Sequence, residues 1–491
     1  MKKRLLSVLV ILCMSLTLLP GTAQAFVKDR RVKLKLSNEV RYIDRVILPD
    51  YALAFYDILE EAVDGDGKKD YLIDDRYFDL SEKDISSKKP GDFIRGNLRS
   101  SSTGITVRYA AILVTSIRTA ADDEKARAYI FDCIDTVDAA FRRDHPEVFW
   151  LRGSKPHYIR YHQGGRTYYC FALSSSSTSY TYDRRLPEFR PDGDLDILEV
   201  MAERDANVQR ILQTIPAGAD RFTQIFYLNK WLTENNEYNT IVSDGLKRGL
   251  SSADIDRPWD STQCVSALAG QEGGRGPVCG AYAEAFKVLC DALGIPCVHV
   301  RCNQVLHSNG SKGSWHSWNY VQMEDGRWYA VDVTWNDPTS GKPGKLSGRE
   351  TTKYLLIGGK TVIDSKGLEF LVSHPAENPV YADGTAFPNG PALSDSAYDS
   401  GAHLCYVGLP EKLSPGDSIA MTPVLLCGSN TDYIYSSSTD LPVGLTLNPN
   451  TGEITGTVTD DMDVPAVIVT ATNPNDPADT ACCILQLTNV N

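Results

Sequence analysis

The sequence predicts an α+β chain, in which a helix bearing a cysteine packs on an antiparallel sheet bearing a histidine and an aspartate. A mixed α/β region precedes this core and a β-sandwich follows it. Three observations carry the expectation. After Cys279 the residues Tyr282, Ala285, Phe286, Leu289 and Leu293 recur at helical spacing and stop at Gly294. The runs WHSWNYVQM and RWYAVDVTW flank Glu324-Asp325-Gly326, whose Asp-Gly is a hairpin signal. From about Ala402 onward, short alternating runs such as AVIVTAT and ILQLTNV are separated by Asn, Asp, Gly and Pro turns.

The N-terminus sets the expected compartment. MKKR precedes an apolar run from Leu5 to Leu19, and Ala23-Gln24-Ala25 supplies a small-residue cleavage site, so residues 1–25 read as a signal peptide. The apolar run is too short for a stable span and no second one follows, which predicts a mature form without a membrane span, secreted or associated with the cell surface. At 491 residues the chain exceeds one ordinary core. A formal charge of −13 argues against nucleic acid as a partner, because phosphate backbones reward clustered Lys and Arg.

Residues 26–191 read as a mixed domain, with a helical pattern from about Ala121 to Arg142 and a hairpin in which HYIRYH and RTYYCFAL surround a glycine turn. The polar stretch PEFRPDGDLD opens a core domain over 192–385, beginning with helices from about Leu195 to Ile215 and Asp220 to Asn235. Between Gly249 and Gly276 the pattern is irregular. A Pro, Asn and Gly-rich stretch after His374 reads as a linker, and residues 396–491 as the sandwich, separable from the core.

Cys279 is placed at a helix N-terminus, where unpaired N–H groups and the helix dipole favour a thiolate. Alone it would read as a buried structural cysteine. His316 starts the first strand of the hairpin and Asp332 ends the second, so pairing about Asp325-Gly326 sets them roughly opposite each other. A carboxylate on one imidazole nitrogen fixes the tautomer and leaves the other nitrogen for a thiol, the arrangement that acyl transfer needs. His299 and His307 have no comparable carboxylate partner, and Cys290, Cys297 and Cys302 lack the spacings of a zinc site. Twelve cysteines, eleven without Cys13 of the signal peptide, leave one thiol unpaired if all others pair. No metal or other cofactor is expected, and no EF-hand pattern is present.

The block from Pro277 to Pro338 resembles the bacterial transglutaminase-like proteins of the papain-like superfamily, in PVCGAYAEAFK, LGIPC, HSWNYVQMEDGRWYAVDVTW and NDP. That resemblance implies a catalytic triad of Cys279, His316 and Asp332, with Trp318 and Trp335 as aromatic walls that bind substrate. Where relatives commonly show Cys-x-Gly-Tyr, this chain has Cys279-Gly280-Ala281-Tyr282. Trp259, Gln263 and Gln271 all precede the cysteine as candidate oxyanion donors, none at a decisive spacing, and Gln263 leads. The string LPVGLTLNPNTGEITGTVTD resembles Ig-type modules, related to cadherin-like domains, of bacterial surface and secreted proteins.

Two function classes follow from these readings. One is a cysteine-dependent enzyme acting on amide bonds of a protein or peptide substrate, with hydrolysis favoured over cross-linking because water is the default acceptor. The other is a non-catalytic binding or adhesion protein using the papain-like domain as a scaffold, with a cell-surface or extracellular ligand on the C-terminal module. A cell-wall amidase is a third reading, for which no wall-binding repeat is visible.

Overall fold

The computed structural model describes residues 93–99, 106–114, 139–149, 157–163, 166–172, 197–249, 261–270, 276–339, 351–376, 391–399, 401–409, 414–428, 432–459 and 463–488, with Tyr56, Glu124 and Val137. The signal peptide, most of the 121–142 helix, Trp259 and Gln271 lie outside these residues. The chain divides into two compact units, one of residues 1–200, 287–298 and 378–390, the other of residues 201–286, 299–377 and 391–491. Among the described residues no helix is long and apolar enough to cross a membrane.

In the first unit, β1 (Phe93–Arg99), β2 (Thr106–Val114), β3 (His157–Gln163) and β4 (Arg166–Ala172) form an antiparallel sheet in the order β1-β2-β4-β3. Gln163 pairs with Arg166, so β3 and β4 form the expected hairpin.

Next in the chain come α1 (Ile197–Leu212), α2 (Arg221–Glu234) and α3 (Thr240–Lys247), from residue 201 onward in the second unit. Asp220 caps α2 by accepting the Thr223 N–H at 2.9 Å, which fixes the predicted start. A six-residue helix, α4 (Cys264–Ala269), lies in the stretch read as irregular, too short to leave a periodic signal. The cysteine helix α5 (Cys279–Ala292) follows, with Tyr282, Ala285, Phe286 and Leu289 fully buried and Gly294 at a φ of 71° just beyond its end.

Strands β5 (Cys297–Cys302), β6 (His316–Gln322) and β7 (Trp328–Val331) form a sheet in that order. The β6–β7 pair is antiparallel, with Asn319 opposite Val331 and Gln322 opposite Trp328. Met323 N–H bonds the Arg327 carbonyl at 3.0 Å, so the loop is the three residues Glu324-Asp325-Gly326, with Gly326 at a φ of 78°. Two short helices complete the core, α6 (Val333–Asn336) and α7 (Phe370–Ser373).

The sandwich consists of β8 (His403–Val407), β9 (Ser418–Leu426), β10 (Ile434–Ser437), β11 (Leu445–Leu447), β12 (Ile454–Thr457), β13 (Asp463–Asn473) and β14 (Asp476–Thr488). They make two sheets, β10-β13-β14 and β11-β12-β9-β8. Its interior takes alternate residues of each strand, Leu404 and Tyr406, Ile419 and Met421, Val467, Val469 and Ala471, and Ala481, Cys483, Leu485 and Leu487, the period-two pattern that predicted it. The sandwich is joined to the core more closely than a linker-separated module requires. Ala217 and Tyr406 exchange both backbone hydrogen bonds, at 2.7 and 2.9 Å. His403 stacks on Phe222 at 4.2 Å and bonds Asp220.

Candidate active site

The turn before Cys279 is built by two backbone contacts. Pro277 O accepts the Asn239 N–H at 2.9 Å, and Val278 N–H bonds Ser261 O at 2.8 Å. A Cβ on Gly276 would fall 1.6 Å from the Glu237 carbonyl oxygen, so glycine is required by the protein's own backbone and not by an approaching substrate. A Cβ on Gly280 would meet nothing nearer than the Thr262 oxygen at 3.5 Å, and Ala281 is fully buried in the helix, so the Gly-Ala exchange relative to the family pattern is absorbed without strain.

Two contacts dock α5 on the sheet that carries the histidine. Asn319 on β6 donates to the Ala283 carbonyl at 2.9 Å, and the buried Tyr282 hydroxyl donates to Asp337 just after α6. Cys279, 3% exposed, therefore begins its helix beside the start of β6, and its thiol is close enough to the His316 ring to help raise the pKa of that ring.

The sequence reading set His316 opposite Asp332. Extending the observed register puts Asp332 past the end of β7 and across from position 318, one diagonal step from His316 on the same face. The side chains span that step, with His316 Nε2 2.7 Å from Asp332 Oδ2. Asp332 also caps α6, its Oδ1 accepting the Trp335 N–H at 3.0 Å. With Nε2 engaged by the carboxylate, Nδ1 is the nitrogen left for the thiol.

Burial works against an imidazolium at His316, but the adjoining Asp332 carboxylate and the Cys279 sulfur outweigh it and push the ring up to about 10. Asp332 is fully buried, which by itself would raise its carboxyl. The charge and hydrogen bond of His316, with help from His374, instead hold it well below the usual carboxylate range. The pair is thus an ionised imidazolium–carboxylate couple, with Asp332 fully buried and His316 5% exposed.

The expected substrate walls divide. Trp335 is partly exposed, 5.7 Å from the His316 ring, and can face a ligand. Trp318 cannot. It is 1% exposed, packed between His316 at 6.0 Å, His374 at 5.1 Å and Phe370 at 6.1 Å, so it supports the histidine from behind. Gln263 precedes α4 without capping it, is 3% exposed, and its side-chain Nε2 has no hydrogen-bond partner among the described residues. Because Thr262 lies against Gly280, that unused donor is in the neighbourhood of the cysteine turn. His307 is exposed, while Cys290, Cys297 and Cys302 are buried.

Two residues near the site were not anticipated. The Tyr238 hydroxyl donates to Ser243 Oγ at 3.1 Å and lies near Cys279. Its pKa is raised, first by burial and then by the neighbouring Cys279. His374 stands behind Asp332, its Nε2 3.5 Å from Oδ2. His316, Asp332 and His374 are the cluster of metal-capable groups found among the described residues, with ligand atoms within 4.8 Å of one another. The 2.7 Å between His316 and Asp332 is a hydrogen-bond distance. Two ligands of one tetrahedral zinc, each about 2.1 Å from the ion, stand farther apart, at about 3.4 Å.

Comparison with known proteins gives the same outline. Residues 209–333 match the model of the transglutaminase-like superfamily, and residues 413–487 match the family described as "Putative Ig domain". The chain therefore carries a transglutaminase-like core domain followed by an Ig-type domain. No curated protein matches it. Similar solved structures include the "Crystal structure of a TGase", at 12% identity and a TM-score of 0.24, covering 40% of this chain and 48% of that one. Another is a "Putative Cysteine Protease from Cytophaga hutchinsonii", at 14% identity and a TM-score of 0.18, covering 37% of this chain and 62% of that one. The chain spans about half of the first and about three fifths of the second.

Proposed function

We propose that the protein is an exported cysteine-dependent enzyme that cleaves amide bonds of proteins or peptides, through Cys279 as nucleophile, His316 as acid and base, and Asp332 as its orienter. One arrangement carries the reading. A buried His316–Asp332 pair at 2.7 Å touches a thiol at the first position of a 14-residue helix, inside a transglutaminase-like domain.

The chemistry follows from the positions of the protons. A thiolate at Cys279, stabilised by the imidazolium and the helix N-terminus, attacks the carbonyl carbon, and the carbonyl π pair moves to oxygen. The side-chain amide of Gln263 is an available donor for that oxyanion. As the pair returns, the C–N bond breaks and His316 Nδ1–H protonates the leaving amine, giving a thioester and a neutral imidazole. His316 then takes a proton from water, hydroxide adds to the thioester, and the acid leaves as the sulfur regains its place in the ion pair. Asp332 stays ionised throughout and holds Nε2–H, so that Nδ1 remains the working nitrogen. Hydrolysis is favoured over cross-linking because water needs no second binding site. MKKR and the apolar run after it support export, and the C-terminal module is assigned a cell-surface or extracellular ligand.

The test is to incubate the full chain and Cys279→Ala with a complex secreted proteome and a labelled primary amine. New peptide termini that require Cys279 are expected. Amine incorporation in place of cleavage would make the protein a transferase, and neither product would sink the reaction class.

A further inference from the structure

Behind the His316–Asp332 pair lies a polar ring that the proposed reaction does not use. His374 terminates α7, its backbone N–H bonded to Phe370 O at 2.7 Å, and its side chain is fully buried. The ring stacks on Phe370 at 4.2 Å and meets Trp335 at 4.4 Å, Trp318 at 5.1 Å and His316 at 5.5 Å. Among the described residues neither ring nitrogen makes a hydrogen bond of normal length, and the polar atom it faces is Asp332 Oδ2, 3.5 Å from Nε2. Leaving a buried donor or acceptor unmade costs about 1–3 kcal/mol, and a phenyl ring would fill the same aromatic stack without that cost. An imidazole here has a task beyond packing.

Burial, reinforced by the positive charge of His316, holds His374 below its ordinary value and so neutral, although Asp332 pulls the other way. A neutral imidazole carries one N–H, and the facing carboxylate selects the Nε2–H tautomer. The titratable groups facing it are Asp332 and His316. Its other ring neighbours, Trp318, Trp335 and Phe370, do not titrate.

We propose that His374 is a positioning residue, a second ring N–H donor to Asp332 Oδ2 that keeps the carboxylate in place when His316 gives up its proton. The proposal rests on the triad reading above. While His316 is an imidazolium it holds Oδ2 at 2.7 Å, and His374, at 3.5 Å on the same oxygen, steadies the carboxylate in the orientation that this bond needs. When Nδ1 of His316 hands its proton to the leaving amine, the charge attraction holding Asp332 weakens. A small approach of the His374 ring then replaces part of it. A neutral donor does this without placing a second cation beside the carboxylate to compete with His316.

The experiment compares the full chain with His374→Phe and His374→Gln, reading the alkylation rate of Cys279 by iodoacetamide against pH, the far-downfield proton resonance of the His316–Asp332 hydrogen bond, and the melting temperature. His374→Phe should melt at or above the wild type, alkylate Cys279 about tenfold more slowly at neutral pH, and lose or broaden the downfield resonance. His374→Gln, whose amide N–H reaches toward Oδ2, should recover most of both signals. If the phenylalanine variant does not fold, His374→Met, similar in length to Gln but without a donor, supplies the contrast. Wild-type alkylation and resonance in a donorless variant would overturn the proposal, as would a glutamine variant no better than it. If Cys279 of the wild type reacts no faster than the other thiols, the triad reading fails. The resonance reports the His316–Asp332 bond and not the reactivity of the thiol, so its loss and return would still support the hold of His374 on Asp332.

Discussion

Replacing Asp332 by Asn tests the central pair with little change of volume, and the hydrogen-bond inventory shows why it cannot be neutral. The carboxylate accepts the Trp335 N–H on Oδ1 at 3.0 Å and His316 Nε2 on Oδ2 at 2.7 Å. An Asn that keeps its oxygen toward Trp335 turns its NH2 toward Nε2, which forces the His316 proton onto Nδ1 in the neutral ring, where it can no longer receive the proton of the thiol. The flipped Asn sets donor against donor at the start of α6. The gap between about 10 for His316 and its ordinary 6.5 corresponds to roughly 5 kcal/mol of preference for the imidazolium. The Asp332 carboxylate is the largest of the influences that raise the ring, so its removal should return His316 most of the way to its ordinary value. The assay is the iodoacetamide rate constant of Cys279 against pH, with a melting curve for each protein. The alkaline limb should move about two pH units toward neutrality and turnover should fall about a hundredfold or more. An unshifted profile in a folded variant would show that another acceptor orients His316.

The same pair makes stability depend on pH. His316 has a folded pKa above its unfolded one, so its contribution is complete below about 6.5 and is lost as pH rises through about 10, and His316→Gln should flatten the decline of melting temperature over that window. Asp332 has a depressed folded pKa, so its contribution is present above about 3.8 and lost as pH falls below it, and Asp332→Asn should be less acid-sensitive than the wild type. Gly276→Ala should destabilise by about 3 kcal/mol or more, because its Cβ would overlap the Glu237 carbonyl at 1.6 Å, whereas Gly280→Ala should be neutral or stabilising by up to about 1 kcal/mol. Equal melting of the two variants would refute the close-approach argument. Truncation at Gly401 should lower the melting temperature of the core, since it uncovers Phe222, strips Asp220 of His403 and removes both Ala217–Tyr406 bonds. An unchanged core transition would restore the picture of an independent module.

What was legible in the sequence follows from what is local. The helix after Cys279 is visible because its buried positions recur within a few turns, and the sandwich because its interior residues alternate along each strand. The hairpin is visible through Asp325-Gly326. Its register is set by where the loop closes, and a three-residue loop displaced Asp332 from opposite His316 to the diagonal. The parity survived, and in a pleated sheet parity decides which face a side chain shares, so the pair still met.

What was hidden depends on elements that leave no period. Alternation shows that Trp318 lies on the face of His316, but not that a four-residue helix, α7, covers it with Phe370 and His374 and turns a substrate wall into core. His374 itself follows a short apolar run ahead of a linker, far from Asp332 in sequence, and no spacing rule connects the two. Tyr238 likewise comes to Cys279 from another stretch of chain, next to the Asn239 that is bonded to Pro277. Sequence spacing thus recovers the groups that share an element or a hairpin, and those include the nucleophile, the base and its orienter. The residues that hold these groups in place are contributed by other elements, and a long-range contact carries no signature in either segment alone. A thiol site of this kind is therefore read from its sequence as a triad, while its aromatic backing and the second imidazole emerge only when the short helices are set against the sheet.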